Sequence, residues 1–134
     1  MSSKHLRGLI YTSLGLNAEL LFTGLRNFPT CTGESQLWVA PLYYFGSLYV
    51  FEPLYLSNPK ASTIYRMFKY AVSFLLIEYV AGFILKKIIG VCPWDYGNRV
   101  GSLSGYANLT YAPLWGLLGL AGERVYHLSF RLLK

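Results

Sequence analysis

Four long apolar runs divided by short polar stretches constrain this chain more than any other feature. The first spans about Gly8 to Leu25, between Arg7 and Arg26, and is broken only by Asn17 and Glu19. The second covers Leu37 to Leu56, without charge until Glu52. The third covers Met67 to Leu85, with Lys69 near its start, Glu78 inside it and Lys86-Lys87 closing it. The fourth follows Gly105 and reaches about Tyr126. A helix needs about 20 residues to cross a bilayer, and the runs lack the strict alternation of barrel strands. The pattern therefore predicts an all-α, polytopic integral membrane protein with four transmembrane helices. They are expected at about 8–26, 37–56, 67–86 and 105–126, forming one four-helix domain over 1–134 with an ordered outer loop at 88–104.

Composition points the same way. Of 134 residues, 54% are hydrophobic and 13% charged, about half the usual charged share of a soluble domain. Aromatic content, the absence of a glycine period and only two cysteines exclude disordered, collagen-like and disulfide-scaffold classes. The net charge of +6 does not signal nucleic acid, because the cations are scattered in ones and twos. They read as membrane-flanking charges. Lys4, Arg7, Lys60, Arg66, Lys69, Arg124, Arg131 and Lys134 fall on one side, and Arg26, Lys86, Lys87 and Arg99 on the other. That bias predicts N-in, C-in. The Met-Ser-Ser-Lys lead has no small-residue cleavage site, so the first helix is expected to be retained.

Six acidic residues are present, and Glu19, Glu52, Glu78 and Glu123 lie within or at the ends of apolar runs. A carboxylate in such a place usually faces a bundle interior and has a partner or a function. Glu19 lies twelve residues past Arg7 and Glu78 twelve past Arg66, so both are expected about 18 Å along their helices, at one level. The functional reading is a pair that titrates together or binds a cation or polar head group. The structural reading is that each fixes helix packing, with Asn17, Asn108, Arg26, Lys86 and Lys87 as available partners. Glu52 and Glu123 read as interfacial salt bridges, with Arg124, Lys60 or Lys69 to neutralise them.

The loop sequence Cys92-Pro93-Trp94-Asp95-Tyr96-Gly97-Asn98 is the second focus. Proline fixes its entry, Trp94 and Tyr96 suit an interfacial belt, and Asp95 can shape a turn or fold inward as a lid. Cys31 and Cys92 fall on the same expected side, and a disulfide or two free thiols both fit. His5 and His127 lack metal-ligand spacing, so no metal is expected. No P-loop, GxSxG, HExxH or GxGxxG occurs, and no cofactor is expected. The prolines Pro41, Pro53 and Pro113 are read as kinks.

These residues resemble a known family. A glutamate in the first run is followed by Pro-Leu-Tyr-Tyr-Phe-Gly at 41–46 and by Glu78-Tyr79-Val80-Ala81-Gly82. Then come Cys92-Pro93-Trp94-Asp95-Tyr96, Gly105, Tyr111 and Leu114-Trp115-Gly116. The order resembles the bacterial CmpB-like proteins, labelled ABC-transporter membrane components, and the eukaryotic transmembrane protein 229 group. The likeness covers about Leu14 to Glu123. It implies Glu19, Glu78, Trp94, Asp95 and Tyr96 as motif positions. Gly97 stands where many relatives have serine, and Arg99 to Leu103 does not reproduce their Phe-Asn or Phe-Asp stretch.

The leading expectation is a small permease-like transport component with Glu19, Glu78, Asp95, Trp94, Tyr96, Asn17 and Asn108 as binding or transport candidates. Its expected partners are the lipid bilayer and further copies or other membrane subunits, in a bacterial inner membrane. An accessory or scaffold subunit is the alternative. An intramembrane lipid-modifying enzyme using Glu78 and Asp95 ranks third, because no nucleophile or phosphate-binding signature accompanies them.

Overall fold

A computed structural model describes residues 2–132. Helix α1 is Ser3–Arg26, α2 Val39–Gly46, α3 Glu52–Ser57, α4 Thr63–Ile89 and α5 Ala112–Leu132. A π-helical turn, Ser47–Phe51, joins α2 to α3. Between α4 and α5 the chain forms a short antiparallel pair, β1 Ser102–Leu103 and β2 Ala107–Asn108, and a 3₁₀ turn, Leu109–Tyr111.

The chain divides into two compact units, residues 1–53 with 122–134, and residues 54–121. In the first, Ser2 caps α1 by accepting from the His5 N–H. The loop after α1 folds back on the helix end: Thr23 Oγ1 donates to Glu34 O and accepts from Glu34 N, and Asn27 donates to Thr32 O. Gly8 lies against Tyr44 and Leu48, and Gly15 against the Tyr43 ring, so small residues on α1 admit the aromatic side chains of the 39–51 segment. Pro53 has no N–H to donate and its ring crowds the carbonyl four residues back. The helix widens to a π turn just ahead of it, with Glu52 N–H bonding Ser47 O.

In the second unit, Ser62 caps α4 by accepting from Tyr65 N–H, and Gly90 ends it in the left-handed conformation at φ 84°. Tyr70 is fully buried. Tyr55 meets it edge-on and Gly119 lies against it. Trp115 stacks on Phe74 at 5.2 Å between centroids. Asn108 anchors the loop: its amide donates to Val100 O, and its Oδ1 accepts from both the N–H and the hydroxyl of Thr110.

The expectation of a polytopic protein with four transmembrane helices, N-in and C-in, is overturned: among the described residues no helix is long and apolar enough to cross a membrane. The reasons lie in particular residues. The second run is divided into segments of 8, 5 and 6 residues. The long α4 carries Arg66, Lys69, Glu78, Lys86 and Lys87, and α1 carries Lys4, Arg7, Glu19 and Arg26. The fourth run loses residues 105–111 to the turn, β2 and the 3₁₀ turn, and the rest of α5 includes Glu123, Arg124 and Arg131.

Candidate functional site: carboxylates held by tyrosines

Three carboxylates within helices are met by tyrosine hydroxyls. Glu19, on the third turn from the end of α1, is half-buried. It accepts from Tyr43 OH at 2.6 Å and from Ser35 Oγ at 2.7 Å. Tyr43 is presented by α2 and is 7% exposed. Ser35 is delivered by the loop that Thr23 and Asn27 pin to the end of α1. Among the described residues no cation pairs with Glu19.

Glu52 is held differently. Arg7 Nε donates to Oε1 at 2.6 Å and Nη2 to Oε2 at 3.0 Å, a two-pronged pair whose side chains are 8% and 11% exposed. Tyr11 OH donates to Oε1 at 3.1 Å. The guanidinium also lies over the rings of Phe130, at 4.7 Å, and Tyr126, at 5.7 Å. The bond to Glu52 raises the Arg7 pKa above its ordinary value. Burial, reinforced by the Glu52 charge, pushes the phenols of Tyr11 and Tyr126 above the usual tyrosine value.

Glu78, half-buried on α4, accepts from Tyr96 OH. Tyr96 packs on Tyr111, centroids 5.3 Å apart. Trp94 Nε1 donates to Tyr106 O at 3.0 Å, and the Tyr106 ring meets Tyr79 edge-on. Gly82 leaves room for Cys92, Tyr106 and Trp94 against α4. Asp95 turns the loop by accepting from Gly97 N–H at 2.8 Å.

The other sequence candidates take local roles. Asn17 is exposed and donates to Ser13 O within α1, at 2.7 Å. Asn108 is buried, and its bonds to Val100 and Thr110 serve the loop. Glu123 is buried and Arg124 exposed on adjacent positions of α5. Lys69, offered above for Glu52, donates to Leu54 O and Ser57 Oγ. Cys31 and Cys92 are both free thiols, the first exposed and the second buried. Burial raises the Cys92 thiol pKa. Among the described residues no group of His, Cys, Asp and Glu could hold a metal.

Sequence reasoning missed Arg7, Tyr11, Tyr43 and Ser35 as partners. The signal for Tyr43 was present in Pro-Leu-Tyr-Tyr-Phe-Gly. Arg7 offered none, since a basic residue at the edge of an apolar run reads as a flank.

The family described as Putative ABC-transporter type IV matches residues 9–133. This supports the CmpB part of the resemblance and not the transmembrane protein 229 assignment. No solved structure matches the chain.

Proposed function

The chain belongs to the family described as Putative ABC-transporter type IV, and from that membership we propose that it is a permease-like component of an ABC-type transport complex at a membrane. Its own contribution is a set of carboxylates held by tyrosine hydroxyls, with Glu19 and Glu78 as the groups that receive a proton or a cation in the transport cycle.

The observation that carries this reading is the environment of Glu19. Its two oxygens are each met by a hydroxyl, from Tyr43 and Ser35, and among the described residues no guanidinium or ammonium pairs with it. Glu52 shows the contrasting arrangement, a carboxylate whose charge is already neutralised by a guanidinium, that of Arg7. Hydroxyls orient the group and leave its charge available to an incoming proton or cation. The exposed apolar residues Ile64, Phe68, Val72, Leu76, Val80, Ile84 and Ile88, which wind around α4, support the setting: exposed apolar surface of this extent suits a subunit of a membrane assembly.

The test is purification at native expression in mild detergent, with mass spectrometry of what accompanies the chain and an ATPase assay on the assembly. A stoichiometric ATPase partner is expected, and Glu19→Gln should lower ATP hydrolysis by the assembly while leaving its composition intact. A chain that purifies alone, or an assembly whose ATPase is indifferent to Glu19→Gln and Glu78→Gln, overturns the reading.

A further inference from the structure

The loop between α4 and α5 forms an open surface depression of about 470 Å³. Its walls are polar: Asp95, Asn98, Arg99, Ser102 and Ser104 line it, with Gly97 and Gly105 between them. The loop backbone and the Ser102 and Asp95 side chains are held in place before any ligand arrives. Tyr96 N–H donates to Gly105 O at 3.0 Å. Ser102 Oγ donates to Gly97 O at 2.9 Å and accepts from Gly105 N–H at 3.0 Å. Gly105, at φ 78°, has no side chain because the Asp95 carboxylate occupies that space.

Two charges of opposite sign line this cavity without meeting. Among the described residues Arg99 and Asp95 form no ion pair, and the side chains of Asn98, Arg99 and Ser104 make no hydrogen bond within the protein. Asp95 uses Oδ1 for Gly97 N–H, and its Oδ2 takes no hydrogen bond among the described residues. A simple anion would pair with Arg99 but meet the Asp95 charge, and a simple cation would meet the converse. A molecule with both charges satisfies both walls. Five guanidinium N–H donors suit a phosphate or carboxylate, a carboxylate accepts from an ammonium group, and Asn98 and Ser104 supply neutral hydrogen bonds beside them.

We infer that this cavity binds a small zwitterion, its acidic group on Arg99 and its ammonium group on Asp95. The same pair of charges is presented by a free zwitterion and by a zwitterionic lipid head group. The binding is independent of whether the chain takes part in transport, and the exposed setting makes it weak.

The test follows amide and guanidinium NMR signals of the full chain during titration. The probes are O-phosphoethanolamine, the single-charge controls inorganic phosphate and ethanolamine, and phosphatidylethanolamine vesicles. Shifts at Gly97, Arg99 and Gly105 are expected to saturate with O-phosphoethanolamine about tenfold below either control, or with the vesicles if the source is a head group. Arg99→Gln and Asp95→Asn should each weaken that binding about tenfold. The asparagine keeps an acceptor for Gly97 N–H, and should it perturb the loop, Arg99→Gln on the exposed rim still reads the effect. Equal affinity for inorganic phosphate would make this an anion site only and overturn the proposal. So would titrations without saturable shifts at these residues, or affinities unchanged in Arg99→Gln.

Discussion

Arg7 and Glu52, 45 residues apart, form a two-pronged ion pair with N–O distances of 2.6 and 3.0 Å in the interior of the unit built on α1. Nothing in their local sequences announces the pairing. Its energetic weight lies in what remains if one partner goes, because desolvating two charges offsets most of their attraction, whereas an orphaned buried charge is costly. Arg7→Met should therefore destabilise the protein by about 3–5 kcal/mol in denaturant unfolding. Arg7→Met with Glu52→Leu should recover most of the loss. A double variant as unstable as the sum of the singles would show that the pair does not act as a unit.

The same cluster sets a limit in alkali. Burial and the Glu52 charge raise the Tyr11 pKa in the folded protein, so the folded state holds the phenol proton longer than the unfolded chain does. Stability from this group is complete below the ordinary tyrosine pKa of about 10 and falls as pH rises above it, by up to about 1.4 kcal/mol per pH unit. Arg7, also raised, acts with the same sign at still higher pH. Tyr11→Phe should flatten the decline above that point while lowering stability at neutral pH by about 1–3 kcal/mol, through the lost bond to Glu52. Unfolding midpoints measured across the alkaline range decide it. A decline equally steep in the variant assigns it to other groups.

That the first, third and fourth apolar runs lie on helices was legible, but their bounds were not: α1 and α4 begin at Ser3 and Thr63, capped by Ser2 and Ser62, and the second run is divided into shorter segments. What the runs meant was less legible. Leu, Phe and Tyr in a run raise its hydropathy whether they face a neighbouring helix or the outside, and Tyr43, Tyr55 and Tyr70 are all buried. Residues 105–111 read as the start of a helix, yet Gly105 is left-handed and the Asn108 side chain binds the backbone in place of a helical bond. Partners were the least legible feature. Counting residues from Arg7 and Arg66 set Glu19 and Glu78 at one level, but each oxygen's neighbours depend on where loops deliver Ser35 and Tyr96.

The two cysteines should separate cleanly by reactivity. Thiolate is the reacting form, and burial against Gly82 and the Trp94 segment raises the Cys92 pKa, whereas Cys31 is exposed. At mildly alkaline pH a thiol reagent should label Cys31 at least about tenfold faster than Cys92, and denaturant should abolish the difference. Mass spectrometry of labelled peptides reads the ratio. Comparable rates in the folded protein would contradict the burial of Cys92.

Gly15 tests how Glu19 is held in place. A methyl group there would gain about 1 kcal/mol of helix propensity, but it would overlap the Tyr43 ring at its inner atoms rather than at a flexible end. Overpacking of this kind costs about 1–3 kcal/mol, so the clash should outweigh the propensity. Gly15→Ala should be destabilising by about 1 kcal/mol in denaturant unfolding. Because the displaced ring carries the hydroxyl that donates to Glu19, the Glu19 carboxylate signal should shift as well. Adding Gly15→Ala to Tyr43→Ala should then restore the bare propensity gain, since the ring is gone. A Gly15→Ala variant more stable than the parent chain, with the Glu19 signal unmoved, would mean that Tyr43 has room to yield and that the α1 glycine does not position the carboxylate.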